Sequence, residues 1–303
     1  MFKEWAREQE VILIDGSMSQ GLMERDANLN HRLWTAKALI DSPEKIQAVH
    51  QSYFDAGANI AITASYQASY KGFEELNYSE QEATDFLRSS VLLAKGAKKA
   101  SSGSQEKWIA GSIGPYGAYL ADGSEYRGNY AISKDELIKF HKKRIQVLVE
   151  AGVDLLAIET MPDIEEIKVL LELLKEFPKT IAWVSCTLSD SQHISDGTLL
   201  LDVQSLLEKN PQIIAYGINC VAPELVTPTI NILKPAATKE LVVYPNSGEH
   251  YDPETKTWSH EHTDNSVFTT QAREWAELGC TWIGGCCCTT EKDILALKRT
   301  FQK

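Results

Sequence analysis

Eight short runs of apolar and β-branched residues, each followed by a stretch of helical periodicity, constrain the fold of this chain most strongly. Most runs are apolar almost throughout, which is typical of parallel strands buried on both faces. The predicted strands are 11–15, 59–63, 108–112, 155–159, 180–187, 213–219, 241–245 and 281–285. Eight strand–helix units in 303 residues favour an α/β fold, namely a (β/α)8 TIM-type barrel in a single domain over residues 1–303.

The predicted helices carry recognisable start and stop signals. Ser42 before Pro43 indicates an N-cap, and Ser133 with Glu136 has the spacing of a capping box. The junctions AGAN (56–59), AGVD (151–154) and LGCT (278–281) each indicate a helix that ends on glycine before the next strand. A G-x-G-x-x-G motif is missing after the first strand, which disfavours an open dinucleotide-binding sheet.

Composition and charge exclude several classes of protein. Hydrophobic residues make up 43% of the chain, but no apolar run reaches the roughly 18 residues that a membrane span needs. Residues 1–10 are charged and are not followed by the apolar segment of a signal peptide, so we expect a cytoplasmic protein. A net charge of −12 argues against a nucleic-acid partner, since a basic face supplies most of that affinity.

Polar residues end at least seven of the predicted strands, where the reacting groups of such barrels lie. Cys220 ends strand six, and Cys286 and Cys287 end strand eight. Thiolates bind zinc, and three protein ligands with one open position are typical of a catalytic site. We expect Gly284 and Gly285 to let the backbone bend so that the adjacent cysteines face one ion.

Spacing alone leaves other interpretations open. Cys186 and Cys280 are expected to be buried, inert thiols, and the other cysteines could be the same. Asp15 and Glu159 could be the acid/base pair of a glycosidase. A metabolite-binding module without turnover is a further alternative. A cysteine hydrolase would need a histidine base, for which the candidates are His193, His250, His260 and His262.

Several longer segments resemble one known family. The pair GINC (217–220) and GGCC (284–287) is similar to the zinc signature of homocysteine S-methyltransferases. The branch that uses S-methylmethionine is most similar, with a likeness that runs from about Val11 to Lys298. That branch is matched by the segments ITASYQAS (62–69), GSIGPYGAYLADGSEYRG (111–128), YPNSGEHYD (244–252) and GGCCCTT (284–290).

The resemblance implies a (β/α)8 enzyme that transfers a methyl group from a sulfonium donor to the thiol of L-homocysteine, giving methionine. S-methylmethionine is the expected donor and S-adenosylmethionine the alternative, because folate and betaine users carry further segments. The family's zinc is held by three cysteines, which match Cys220, Cys286 and Cys287. No catalytic residue is expected beyond the zinc-activated substrate thiolate.

The resemblance also implies which residues bind homocysteine. Its ammonium group meets acids that match Asp15 and Glu159, and its carboxylate meets donors that match Gly16, Ser17 and Thr63. Asn219, next to Cys220, is assigned to the same substrate-binding group.

The chain departs from the family pattern at one position, and one of its loops is rich in tyrosine. Cys288 replaces the arginine that usually follows GGCC, and we expect its side chain to be a bystander. Four tyrosines lie in the long loop after strand three, where their aromatic faces could hold a cationic donor or could only pack the loop. They are Tyr116, Tyr119, Tyr126 and Tyr130.

Overall fold

Eight parallel strands form the centre of the molecule, each at a predicted position. The computed structural model describes residues 1–248, 251–252, 257–258 and 265–301. The barrel strands are β1 Ile12–Leu13, β2 Ile60–Ile62, β3 Trp108–Ile113, β4 Leu155–Met161, β5 Ala182–Cys186, β6 Ile213–Asn219, β7 Glu240–Tyr244 and β8 Trp282–Ile283.

The strands close into a ring. Each pairs with its neighbour in chain order from β2 to β8, and β8 pairs with β1. A parallel bridge between Ile14 and Ile60 joins β1 to β2, and the Asn59 N–H donates to the Leu13 carbonyl over 2.7 Å. The predicted (β/α)8 barrel is therefore confirmed, and an open dinucleotide-binding sheet is excluded.

Eight helices follow the strands within the described residues. They are α1 Pro43–Ala56, α2 Glu80–Ala100, α3 Lys134–Glu150, α4 Ile164–Leu174, α5 Leu200–Glu208, α6 Val226–Leu233, α7 Asn265–Glu277 and α8 Glu291–Phe301. The predicted capping box of Ser133 and Glu136 is present at the start of α3. Ser42 occupies the N-cap of α1 without a capping bond from its side chain.

The glycines predicted to end helices adopt left-handed backbone conformations. Gly57, Gly152 and Gly279 have φ angles of 118°, 80° and 93°. A residue with a Cβ is strained at such angles, so glycine is the residue that reverses the chain there into β2, β4 and β8.

The remaining described elements are short. The α-helices are Phe2–Arg7, Met18–Met23, Ala38–Asp41, Tyr70–Glu74 and Tyr116–Leu120, and the 3-10 helices are Trp34–Lys37, Ser124–Tyr126, Pro223–Leu225 and Lys234–Ala236. Two small antiparallel pairs join Leu188–Asp190 to His193–Ile194 and Tyr251–Asp252 to Thr257–Trp258.

The barrel interior is apolar at the end where the strands begin. Trp183, Val242 and Trp282 belong to one buried cluster inside the ring. Phe2 of the N-terminal helix seals this end, with its ring centroid 5.2 Å from that of Trp108 and 5.6 Å from that of Trp282. Side chains therefore fill the barrel at the amino ends of its strands, and a site can form only at the carboxyl ends. Among the described residues, no helix is long and apolar enough to cross a membrane.

Candidate active site

Three thiols meet at the carboxyl end of the barrel. Cys220 follows β6, and Cys286 and Cys287 follow β8, on either side of β7. Their three sulfur atoms all lie within 4.8 Å of one another, and the Cys220 and Cys287 sulfurs are 3.5 Å apart. The predicted cysteine triad is therefore assembled by barrel closure, between residues distant in sequence.

The loop after β7 holds the Cys286–Cys287 segment by its backbone. The Cys286 N–H donates to the Pro245 carbonyl over 2.7 Å, and the Cys287 N–H donates to Asn246 Oδ1 over 3.2 Å. The Ser247 N–H donates back to the Cys287 carbonyl over 3.1 Å. Asn246 was not predicted as a functional residue, and its side chain helps to hold the backbone of Cys287 in place.

The two glycines before the cysteines lie where the chain is closely packed. Neither Gly284 nor Gly285 has a positive φ angle, and the bend expected of them stays a prediction. A Cβ atom on Gly284 would lie 2.7 Å from Ile14 Cβ, and one on Gly285 would lie 2.4 Å from Thr289 Oγ1. These positions require glycine because the chain packs too closely against its neighbours for a side chain.

Among the described residues at this rim, left-handed conformations occur at Cys220, Cys288 and Thr160 rather than at these two glycines. Cys220 has a φ of 52° and Cys288 a φ of 64°. Such angles are strained for residues other than glycine and cluster at functional sites. At Cys220 the strained turn directs a thiol to the group, immediately after the strand ends.

Cys288 is buried beside the triad but is not a member of it. Its side chain packs in one cluster with Cys220 and Cys287. The group of three sulfurs that lie within 4.8 Å of one another does not include Cys288. Cys186 and Cys280 lie elsewhere, and burial raises the pKa of each thiol to about 12, in line with inert core cysteines.

A cavity of about 1000 Å³ opens beside the thiols. Five of the six predicted substrate-binding residues line it, together with the three cysteines. These five are Asp15, Gly16, Ser17, Thr63 and Glu159. The sixth, Asn219, is 1% exposed and lies behind the cavity wall.

Two buried carboxylates form one wall of the cavity. Asp15 Oδ2 accepts from the Ile62 N–H over 2.9 Å, while Glu159 accepts hydrogen bonds from the Ser112 hydroxyl and, over 3.2 Å, from the Tyr244 hydroxyl. Burial raises the pKa of Glu159 to about 7 against the lowering effect of these two hydroxyls. Burial also raises the pKa of Asp15, with a smaller contribution from the charge of Glu159. Two such acids facing one cavity favour a cationic ligand.

A polar layer inside the barrel connects Glu159 to the cysteines. The Tyr244 hydroxyl lies 2.6 Å from the Ser185 hydroxyl, which donates to Asn219 Oδ1 over 2.7 Å. The Asn219 amide nitrogen lies 4.0 Å from the Cys286 sulfur. Sequence reasoning missed Ser185 and Tyr244, although inward-pointing polar residues near strand ends were a usable signal.

Of the four loop tyrosines, Tyr126 lines the cavity, and its hydroxyl lies 3.1 Å from the Cys220 sulfur. Tyr116 packs against Tyr119 and Tyr130 at centroid distances of 5.3 and 5.7 Å. Tyr66, which sequence reasoning did not single out, also lines the cavity. The loop therefore contributes one tyrosine to the site and uses the others to pack.

Among the described residues, the one histidine predicted as a possible base of a cysteine hydrolase lies away from the cavity. His193 belongs to a surface hairpin, where its Nδ1 lies 2.9 Å from Asp190 Oδ1, and it does not line the cavity. His250, His260 and His262 lie outside the described residues.

The fold and the site define a class of protein: a (β/α)8-barrel enzyme with three convergent thiols able to hold a metal, beside a cavity lined with acids. The model of the family described as homocysteine S-methyltransferase matches residues 12–301. The chain belongs to this family, and it is a methyltransferase.

Similar proteins have been described in two bacteria. The homocysteine S-methyltransferase YbgG of Bacillus subtilis is 49% identical over 291 residues, which cover 94% of this chain and 92% of that protein. The homocysteine S-methyltransferase of Escherichia coli is 47% identical over 294 residues, covering 96% and 95%. The metallated form of the E. coli homocysteine methyltransferase MmuM superposes with a TM-score of 0.89 at 43% identity, covering 98% of this chain and 99% of that one.

Proposed function

We propose that this enzyme transfers a methyl group from a sulfonium donor to the thiol of L-homocysteine in a zinc-dependent reaction that yields methionine. S-methylmethionine is the proposed donor and S-adenosylmethionine the alternative. The observation that carries the proposal is the juxtaposition of three clustered thiols with a cavity that two buried acids line.

The three cysteines fit zinc by their chemistry and spacing. Sulfur ligands about 2.3 Å from a tetrahedral ion lie about 3.8 Å from one another, which is compatible with the distances among Cys220, Cys286 and Cys287. Three protein ligands would leave a fourth position for a substrate, and all three cysteines line the cavity. When bound, zinc would keep the substrate thiol ionised at neutral pH, where a free thiol is mostly protonated.

The remaining residues would bind and orient homocysteine. Asp15 and Glu159 would pair with its ammonium group, and Gly16, Ser17 and Thr63 would meet its carboxylate. Asn219 would act from behind the wall, because its Oδ1 accepts from the Ser185 hydroxyl and from the Thr160 N–H and so fixes the end of β6, directly before Cys220. This makes Asn219 a positioning member of the substrate group.

The transfer needs no base from the protein. The thiolate of homocysteine supplies the electron pair of the new S–CH3 bond, and the sulfonium sulfur keeps the pair of the bond that breaks. The donor therefore leaves as a neutral thioether. Because charge is neutralised in this step, a cavity that excludes water favours it. With S-methylmethionine, both products are methionine.

A donor screen tests the proposal. Homocysteine is incubated with S-methylmethionine, S-adenosylmethionine or betaine, and methionine is followed with and without a chelator. We expect turnover with a sulfonium donor, loss of turnover on chelation and recovery when zinc is added back. Binding of homocysteine without turnover with any donor would instead indicate a metabolite-binding module. Full activity after complete metal removal would contradict the zinc assignment.

A further inference from the structure

The cavity has a second group of acceptors, which the homocysteine site does not use. Gln67 follows β2 and Glu125 follows β3, and both line the cavity. Gln67 Oε1 and Glu125 Oε2 are shielded from solvent, and neither has a hydrogen-bond partner among the described residues. Two orphan acceptors in one cavity point to a ligand that brings its own donors.

The orientation of the Gln67 amide is fixed. Its Nε2 donates to the Ala118 carbonyl over 2.9 Å, and the whole residue is 8% exposed. A carbonyl oxygen can only accept, so a flipped amide would set two acceptors against each other. Gln67 Oε1 is therefore the atom left without a donor.

Glu125 is also held in place, but by its backbone. Its carbonyl accepts from the Thr187 hydroxyl over 3.0 Å. The helix beneath comes so close that a Cβ on Gly117 would lie 2.6 Å from the Glu125 nitrogen. The carboxylate is consequently presented to the cavity by a packed loop.

In the described part of the chain, no cation forms an ion pair with Glu125, and Arg127 offsets its charge only weakly. The charged groups around it are Asp122, Arg127 and the Cys220 thiol. The Arg127 guanidinium is directed elsewhere, donating to the Asp122 carbonyl over 3.1 Å and to Ser124 Oγ over 3.4 Å. Burial, with Cys220 and Asp122 adding to it, raises the pKa of Glu125 to about 7.

A sulfonium amino acid has two cationic groups, and their chemistry decides which of them fits the acceptors of Gln67 and Glu125. An ammonium group has N–H donors, whereas a sulfonium centre has none to offer two acceptors. A fixed anion at the sulfonium would stabilise the donor before transfer more than during it, because the positive charge disappears in the reaction. The same anion at a remote ammonium stabilises both states equally and so does not slow the transfer.

We propose that Glu125 and Gln67 bind the α-ammonium group of the methyl donor, which makes the enzyme specific for sulfonium compounds that are amino acids. This inference rests on the proposed function. Each amino-acid substrate then has its own pair of accepting side chains for its ammonium group. Asp15 and Glu159 serve homocysteine, and Glu125 and Gln67 serve the methyl donor.

The test compares Glu125→Gln with a matched control, Glu224→Gln. Glu224 is an exposed carboxylate on the same rim, shortly after Cys220, and it does not line the cavity. We expect Glu125→Gln to raise the KM for S-methylmethionine by about tenfold or more, as for a lost hydrogen bond to a charged group, with kcat and the homocysteine KM little changed. Glu224→Gln should behave as the wild type.

A second donor separates the ammonium from the sulfonium. Dimethylsulfoniopropionate has a sulfonium and a carboxylate but no ammonium, so its binding, measured by calorimetry, should be the same in the wild type and in Glu125→Gln. S-methylmethionine binding should weaken in the variant by the same assay.

Each outcome decides between the two claims. An unchanged S-methylmethionine affinity in Glu125→Gln, or an equal loss for both donors, overturns the ammonium assignment while leaving the methyl transfer intact. Absence of methionine formation by the wild type with every sulfonium donor overturns the proposed function itself. A folded variant is verified by its unaltered homocysteine binding.

Discussion

The cavity has two acidic regions that differ in how their oxygens are satisfied. Asp15 and Glu159 accept hydrogen bonds from a backbone N–H and from two hydroxyls before any ligand arrives. Gln67 Oε1 and Glu125 Oε2 have no such donors among the described residues. The first region is preorganised by the protein, and the second depends on its ligand for partners.

The difference follows from the elements that carry the residues. Glu159 lies within β4, where its inward position continues that of Leu155 and Ala157, and β4 has a bulge beyond Ile158. Bulges next to active sites re-aim side chains and are rigidly specified. Glu125 lies in the short 3-10 helix Ser124–Tyr126 of the connection after β3, where residues change more readily without damage to the barrel. The rigid strand ends thus suit the binding of homocysteine, the methyl acceptor. The connection after β3 suits the binding of the methyl donor, which can differ between enzymes.

The largest expected effect is that each of two variants loses affinity for a different substrate. Glu159→Gln should raise the homocysteine KM by roughly 10- to 150-fold, equivalent to about 1.5–3 kcal/mol, because it removes the charge facing the ammonium group. The KM for S-methylmethionine should stay near its wild-type value, the reverse of Glu125→Gln. Steady-state kinetics with each substrate varied in turn would check this. An equal rise in the KM of both substrates would mean that the two acidic regions do not bind separate substrates.

The pH dependence should follow the same division. Burial raises the pKa of Glu159 to about 7, so the carboxylate becomes protonated as the pH falls through 7 and can no longer pair with an ammonium group. The homocysteine KM should therefore rise by up to about tenfold for each pH unit below that value. This rise should be absent in Glu159→Gln. If the homocysteine KM of Glu159→Gln rose with falling pH as steeply as that of the wild type, the titrating group would be another residue.

A smaller effect is expected on the stability of the ligand-free, metal-free protein. The pKa of Glu159 is higher in the folded than in the unfolded state, so between about pH 4.5 and 7 the folded state binds more protons and stability falls as the pH rises. Glu159→Gln should therefore melt at a higher temperature than the wild type at pH 8, by about 2–4 °C per kcal/mol gained. The gap should narrow at pH 5. A variant less stable than the wild type at pH 8 would mean that the ionised carboxylate supports the fold.

Sequence reasoning predicted the barrel because its signals are local. Buried strands read as apolar runs, and Gly57, Gly152 and Gly279 ended helices where a left-handed residue is required. Cys220, Cys286 and Cys287 could be predicted because the closed barrel brings together the carboxyl ends of the strands that they follow. The roles of Asn246, Gln67 and the inner polar layer could not be found this way, since they depend on which atoms meet across loops. The close packing at Gly284 and Gly285 could not be found for the same reason.

The most direct test of the account is the zinc content of two serine variants prepared under reducing conditions, because adjacent thiols oxidise readily. Cys220 belongs to the sulfur triad, whereas Cys288 is buried beside it. We expect Cys220→Ser to lose most of its zinc and its methionine-forming rate, and Cys288→Ser to keep about one zinc per chain and most of the rate. Full zinc and full rate in Cys220→Ser, or metal loss in Cys288→Ser together with retention in Cys287→Ser, would contradict the assignment.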